Sequence, residues 1–350
     1  MATLFGRHVI SQTVRRLLVR ARVPLVACGT AAALCSVTAS HAPAQALKAD
    51  APAPGKFKLA LIQLLVGKDK AANLKHAEVK IREAAASGAQ LISLPECFNS
   101  PYGPTFFPEY AEEVPATSEQ ATESANPSTL MLSKVAKELK IYLVGGSFPE
   151  RDATTGKLYN TCLVFGPDGS ILCRHRKMHL FDIDIPGKMT MFESDTLTGG
   201  DDLSLFDTPW GRVGVGICYD IRFPHLAALL RMGGAHMLIY PGAFNMTTGP
   251  MHWELLARAR AVDNQAFIAT PSPARNPESS YQAWGHTSII SPWGKVVATT
   301  EEAPAIVYAD VDLAEVLPMR QAIPVFNQTR DDLYSLKWTK GTWLKTLGLA

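Results

Sequence analysis

The chain has 350 residues, 47% of them hydrophobic, enough for a substantial core in one large domain or two small ones. Its formal net charge is +2 with the signs mixed, so composition carries no nucleic-acid signature. Six cysteines, at 28, 35, 97, 162, 173 and 218, contain no C-x-x-C pair, which argues against a zinc site or a disulfide framework.

Charge is spread unevenly. Met1 to Ala49 carries five arginines, one lysine and no acidic residue, whereas Lys56 to the end carries 28 basic and 31 acidic residues. Arg7, Arg15, Arg16, Arg20 and Arg22 precede an apolar, small-residue run from Val23 to about Ala39. An Arg-rich, acid-free leader reads as a mitochondrial targeting segment, with plastid or secretory routing as the alternative. The run is short for a membrane span and is broken by Pro24 and Gly29. An Ala/Pro linker follows, so the expected division is a leader and linker at 1–55, one folded domain at 56–336 and a tail at 337–350.

The first predicted strand is Phe57 to Leu65. Helical spacing of Ala72, Ala77, Ile81 and Ala84 predicts a helix over Lys70 to Ser87, stopped by Gly88. "AQLISLPE" is the next strand. Asn126-Pro127 opens a helix to about Leu139, since proline suits a first helical turn. "IYLVGGSF" is a strand, and "YNTCLVFGPDGSILCRHRK" is a hairpin around Pro167-Asp168-Gly169. A second hairpin, "LSLFDTPWGRVGVGIC", turns at Pro209-Trp210-Gly211. Then come a helix over Phe223 to Met232, the strand "AHMLIYPG", a helix over His252 to Asp263 and the strand "QAFIATPS". The hairpin "TSIISPWGKVVAT" and the strand "AIVYADVD" close the pattern. Strands alternating with helices, plus hairpins, predict a layered α/β fold with two related halves.

The stretch "VGVGICYDIRF" at 213–223 is unusual. Cys218 follows Gly214 and Gly216 on one face of an alternating run, although glycine weakens a strand. The expectation is that the glycines clear space beside the strand, for a pocket at the thiol or for the close approach of a helix.

In α/β proteins, reactive groups sit where strands lead into helices. Three predicted strand ends carry complementary groups: Glu96 in "SLPECFNSPYG", Lys177 in "RKMHLFDID" and Cys218 in "GICYDIRFP". A thiol must lose its proton to attack, a carboxylate can take that proton, and an ammonium can stabilise an oxyanion. No G-x-S-x-G elbow occurs. Cys97, Cys162 and Cys173 read as core residues. His179, His225, His252 and His286 read as structural or supporting residues.

These motifs, with "YPGAFNMTTGPMHWELLARARAVDNQAFIATPSPAR" and "AWGHTSIISPWG", resemble the nitrilase superfamily from about Lys56 to Leu336. Within it they are most similar to the omega-amidases, which act on 2-oxoglutaramate and 2-oxosuccinamate. The resemblance implies a four-layer αββα sandwich with two pseudo-symmetric halves. It also implies a Glu-Lys-Cys triad, with Glu96 as general base and then acid, Lys177 as cation and Cys218 as nucleophile. Glu193 in "MFESDTLTGG" fits a second glutamate of the family, although it could equally cap a helix. The backbone N–H of Tyr219 would join Lys177 in holding the oxyanion. The reaction needs no metal or organic cofactor, and the partners implied are a small oxo-acid amide and a second copy of the chain. The stretch from Gln321 to Leu336 has the look of an arm reaching over that copy.

Arg222, near the predicted helix start, and Tyr102, in the Glu96 loop, are candidates to hold a substrate carboxylate; Arg222 could instead pair with Asp220. Phe181, Phe244 and Trp284 are candidate pocket walls. The alternatives are an amidase of deaminated glutathione or a carbamoyl amine and, more remotely, a non-catalytic scaffold.

Overall fold

The computed structural model describes residues 54–340, so all but the last two residues of the leader expected at 1–55, and most of the expected tail, lie outside the described residues. The first half runs β1 (Lys56–Gln63), α1 (Lys70–Ala86), β2 (Leu91–Ser93), α2 (Phe107–Tyr110), α3 (Pro127–Leu139), β3 (Tyr142–Val144), β4 (Phe148–Arg151), β5 (Leu158–Phe165) and β6 (Ile171–Arg176). A small hairpin, β7 (Asp182–Ile185) and β8 (Met189–Phe192), leads to the second half. That half runs β9 (Ser204–Thr208), β10 (Gly211–Val215), α4 (Pro224–Met232), β11 (Met237–Ile239), α5 (Gly249–Asn264), β12 (Phe267–Thr270), β13 (Ser288–Ile290) and β14 (Val296–Thr299). The chain then returns as β15 (Ala305–Asp312), and the last helix among the described residues is α6 (Val316–Ala322).

Two sheets result. One has the order β15-β1-β2-β3-β5-β4, with β6 also paired to β5; the other has the order β14-β13-β12-β11-β10-β9. In each half three strands run parallel, β1-β2-β3 and β10-β11-β12, and the next is antiparallel. β15 pairs antiparallel with β1 from Lys56↔Asp312 to Gln63↔Ala305, which fixes the first strand from the far end of the domain.

The strand period decides what each face meets. Leu59 and Leu61 of β1 enter the core between the sheets, with Val213 and Val215 of β10. Ala60 and Ile62 face the other way, into a core with Ala77, Ile81 and Ala84 of α1 and Leu132, Val135 and Ala136 of α3. α4 and α5 cover the second sheet through Leu230, Trp253 and Ala257, giving the expected αββα layers. Burial of each such large aliphatic side chain stabilises the fold by about 1.5–3 kcal/mol as an upper figure. Asp69 caps α1 by accepting from Ala72 N at 3.0 Å, and α3 and α5 end on left-handed residues, Lys140 at φ 53° and Gln265 at φ 50°.

Three departures from the expected elements bear on function. "AQLISLPE" is extended only over Leu91–Ser93, so Glu96 stands on a turn. "IYLVGGSF" breaks into β3 and β4 at Gly145-Gly146; Gly146 has φ 66°, and a Cβ there would lie 2.2 Å from Pro95 O. That close approach lets Ser147 N donate to Pro95 O at 3.1 Å and Phe98 N to Ser147 O at 3.0 Å, clamping the Glu96 turn from behind. The β7–β8 hairpin was not legible, because four-residue strands separated by Pro186-Gly187-Lys188 give little periodicity.

Candidate active site

β10 stops at Val215, three residues short of the expected strand end, and Cys218 opens a 3-10 turn, Cys218–Arg222, that leads into α4. Cys218 has φ 45°, a left-handed conformation unusual for a side-chain-bearing residue and costly unless its surroundings impose it. Cys218 N donates to Pro241 O at 2.7 Å, and Ile217 N donates to the Asp220 carboxylate at 2.9 Å. The glycines serve packing more than a pocket. A Cβ at Gly214 would lie 2.7 Å from Leu238 Cδ2 and 3.2 Å from Leu230 Cβ of α4. One at Gly216 would lie 2.5 Å from the Tyr240 ring. The third glycine, Gly242, lets its strand end pass the nucleophile, for a Cβ there would lie 3.2 Å from Cys218 Cα.

Glu96, Lys177, Glu193 and Cys218 meet although they are far apart in sequence. The first three are wholly buried and Cys218 is nearly so. Lys177 Nζ donates to Glu96 Oε1 at 2.9 Å and to Glu193 Oε1 at 2.9 Å. Asn160 Nδ2 adds a 2.9 Å bond to Glu96 Oε1. The Ala243 N–H points between base and nucleophile, 2.9 Å from Glu96 Oε2 and 3.4 Å from Cys218 Sγ. Glu193 also accepts from Phe181 N at 2.7 Å and from the Tyr102 hydroxyl at 2.7 Å.

Electrostatics follow from this burial. Burial pushes the Glu96 carboxyl above the ordinary range; Lys177 opposes the shift and Glu193 adds to it. Burial, then the Glu96 charge, push the Cys218 thiol well up, so the sulfur keeps its proton until a base takes it. Burial alone would lower the Lys177 ammonium, but Glu193 and Glu96 outweigh it and hold the group well above the usual lysine range.

Two expectations about the surroundings change. The Tyr102 hydroxyl donates its one proton to Glu193, so Tyr102 does not offer that proton to a substrate carboxylate. Arg222 does not pair with Asp220. That carboxylate accepts from His175 Nε2 at 3.0 Å and from His179 N and Nδ1 at 2.9 and 2.8 Å. Burial would raise Asp220, but His175, His179 and the Ile217 N–H hold it below the usual carboxylate range. The two histidines flank Lys177 in sequence, so Asp220 ties the lysine strand to the nucleophile turn. Arg222 instead donates to His252 Nδ1 at 3.2 Å and lies over the Phe244 ring, 4.7 Å from its centroid. Its Nε has no hydrogen-bond partner among the described residues.

A narrow cleft opens over the sulfur, lined by Phe181, Cys218, Tyr219, Arg222, Phe244 and Thr248 among others. The Tyr219 N–H lies in the first turn of the 3-10 helix, where donors lack intrahelical partners. Trp284 is not a wall of this cleft; it stacks on His286 at 4.0 Å. Among the described residues no cluster of three or more His, Cys, Asp or Glu is arranged to hold a metal ion. Asn160 and Ala243 were missed in the sequence, and Asp220 was read only as a possible partner of Arg222, since Ala243 acts through its backbone and the others are ordinary polar residues until folding brings them near.

A carbon-nitrogen hydrolase family model matches residues 58–321. The omega-amidases NIT2 of Bos taurus and Homo sapiens are each 57% identical over 284 residues, covering 81% of this chain and 99% of theirs. The crystal structure of Saccharomyces cerevisiae Nit3, a member of branch 10 of the nitrilase superfamily, superposes with TM-score 0.71 at 45% identity, covering 79% of this chain and 97% of that one. The chain belongs to the carbon-nitrogen hydrolase family of the nitrilase superfamily. Within that family it falls with the omega-amidases.

Proposed function

We propose that the chain is an omega-amidase that hydrolyses 2-oxoglutaramate and 2-oxosuccinamate through a Cys218 thioester. The observation that carries the substrate reading is the small cleft over Cys218, whose walls include the guanidinium of Arg222, paired with no carboxylate among the described residues. A short oxo-acid suits so narrow a cleft better than a tripeptide does. Burial lowers Arg222 from its ordinary range, so an arriving carboxylate gains a partner that is short of counter-charge.

In the proposed mechanism Cys218 Sγ attacks the amide carbonyl while Glu96 takes the thiol proton. Lys177 and the Tyr219 N–H hold the oxyanion. As the C–N bond breaks, Glu96 passes the proton to nitrogen and ammonia leaves. Water then attacks the thioester; Glu96 takes its proton and returns it to the sulfur. Two lower barriers replace one high barrier. Glu193 anchors Lys177, and Tyr102 anchors Glu193.

Ammonia release from 2-oxoglutaramate and from an uncharged amide of similar length tests the reading on Arg222→Met. KM for the oxo-acid amide should rise about a hundredfold, as expected for two lost charge-assisted hydrogen bonds, with the uncharged amide barely affected. Equal losses on both would place the carboxylate elsewhere.

The leader at 1–55 is proposed as a mitochondrial targeting segment; a reporter fused to it that stays cytosolic would rule this out. The working form is proposed as a homodimer. Exposed Ile323, Val325, Leu333 and Tyr334 on the 321–336 stretch support it. Light scattering that gives a monomer at micromolar concentration would rule it out.

A further inference from the structure

The triad borders two cavities. The cleft described above reaches Cys218 but not Glu96. A second cavity, with about 30 Å3 of room for a water-sized molecule, reaches Glu96 but not Cys218. Ala243 and Tyr281 line both and form the partition between them, with the Tyr281 hydroxyl donating to Ala243 O. The rear cavity runs from half-exposed Asn276 and Ser279 to the buried carboxylate.

The walls differ in kind. The front cleft has aromatic faces and one guanidinium, as suits an organic anion. The rear cavity has no guanidinium in its lining among the described residues; beside Glu96 it sets Ser100, Ser279 and Asn276 among Tyr102, Tyr281 and small apolar residues such as Ala274 and Ala283. Ser100 is 1% exposed, and its Oγ has no hydrogen-bond partner among the described residues. A buried hydroxyl left without a protein partner is costly, and a small polar molecule in the cavity would satisfy it.

The chemistry creates a need for such a port. Once the thioester has formed, the acyl chain occupies the narrow front cleft beside Cys218. Hydrolytic water must still reach Glu96, and ammonia must leave, while that chain is in place. We propose that the rear cavity is the site for these small neutral molecules: ammonia leaves through it after acylation, and the hydrolytic water enters through it and is held by Ser100 on its way to Glu96. This rests on the reading of Glu96 as the proton shuttle. In acylation the S–C bond forms, the C–N bond breaks and the thiol proton ends on ammonia by way of Glu96. In deacylation the O–C bond forms, the C–S bond breaks and one water proton returns to sulfur through Glu96.

The test fills the cavity without touching the front cleft. Ser100 precedes Pro101, a position biased to extended backbone that a β-branched residue tolerates, so Ser100→Val is the first variant. Ala274→Leu, from another wall, is the second and covers the case in which the first fails to fold. An activated ester of the same oxo-acid makes loss of the thioester rate-limiting, and intact mass after rapid quench counts the acylated chain. Expected for both is about a tenfold fall in kcat with a parallel fall in KM, kcat/KM within twofold of wild type, and accumulated acyl-enzyme. A fall in kcat/KM without acyl-enzyme would make the cavity part of the substrate pocket and overturn the proposal. Wild-type kcat and acyl-enzyme decay in both variants would overturn it as well. Glu96→Gln separates the two readings: if it turns over normally, the shuttle reading fails whatever the cavity variants do.

Discussion

The two halves of the molecule share a strand order but use corresponding strand ends in opposite ways. In the first half β1 ends on Gln63, a buried amide that accepts from Thr287 N and Oγ1 at 3.0 and 2.8 Å and donates to Glu301 O and Ala303 O at 2.6 and 2.7 Å. Its counterpart β10 leads instead to Cys218. The next strand reverses the roles: β2 leads to Glu96, whereas β11 leads to Ala243, which offers only a backbone N–H. The 2.9 Å bond from Ala243 N to Glu96 joins the two counterparts across the pseudo-symmetry. Left-handed backbone marks the reactive ends, at Cys97 (φ 51°) beside Glu96 and at Cys218 (φ 45°). One scaffold thus supplies a closed, fully satisfied strand end and a strained, reactive one from the same position.

The largest expected effect breaks the reactive end. Cys218→Ala should lower ammonia release by about a thousandfold or more, because no other thiol among the described residues borders the front cleft, while leaving the melting temperature nearly unchanged. Retained turnover, with alkylation falling first on Cys97 or Cys162, would put the nucleophile elsewhere.

The matching change at the closed end should do the reverse. Gln63→Ala orphans two carbonyls and the Thr287 donors, and should cost about 2–4 kcal/mol of stability in urea unfolding. Turnover of the folded protein at 25 °C should stay within about twofold, since Gln63 touches no reacting group. A large loss of kcat in folded Gln63→Ala would mean that the two strand ends do not divide the work.

A smaller and pH-dependent effect sharpens the comparison at the brace on the reactive turn. Asp220 is held below the usual carboxylate range in the folded chain, so the unfolded chain takes up its proton first as pH falls. Its contribution is therefore full near neutrality and lost in acid, below about pH 5. Asp220→Asn should be less stable than wild type by about 1–3 kcal/mol at pH 7, with the gap narrowing below pH 5. A gap constant from pH 7 down to about pH 3 would show that shape, not charge, sets the brace.

Much of this was legible in one dimension. The α/β layering followed from strand and helix periods, and the similarity to nitrilase-superfamily omega-amidases from long motifs in order. Glu96, Lys177 and Cys218 stood out because each reactive type sits at a strand end. The glycines before Cys218 were legible as clearing space, for a pocket or for close packing; that packing dominates, and with which partners, was not: Leu230 and Leu238 for Gly214, the Tyr240 ring for Gly216. The β7–β8 hairpin was missed because two four-residue strands carry too little periodicity to register.

By itself the sequence determined which groups are reactive and which local segments bend or extend, since residue type and short-range spacing act within a few bonds. Tertiary structure alone decided that Ala243 N–H stands between base and nucleophile, that Tyr102 serves Glu193, and that Asp220 takes two histidines and leaves Arg222 to the cleft. It alone set the partition of Ala243 and Tyr281 between two cavities. Hydrogen bonds and the pKa shifts they produce depend on distances of about 3 Å, and separations along the chain such as the 147 residues between Glu96 and Ala243 fix no such distance until the fold closes.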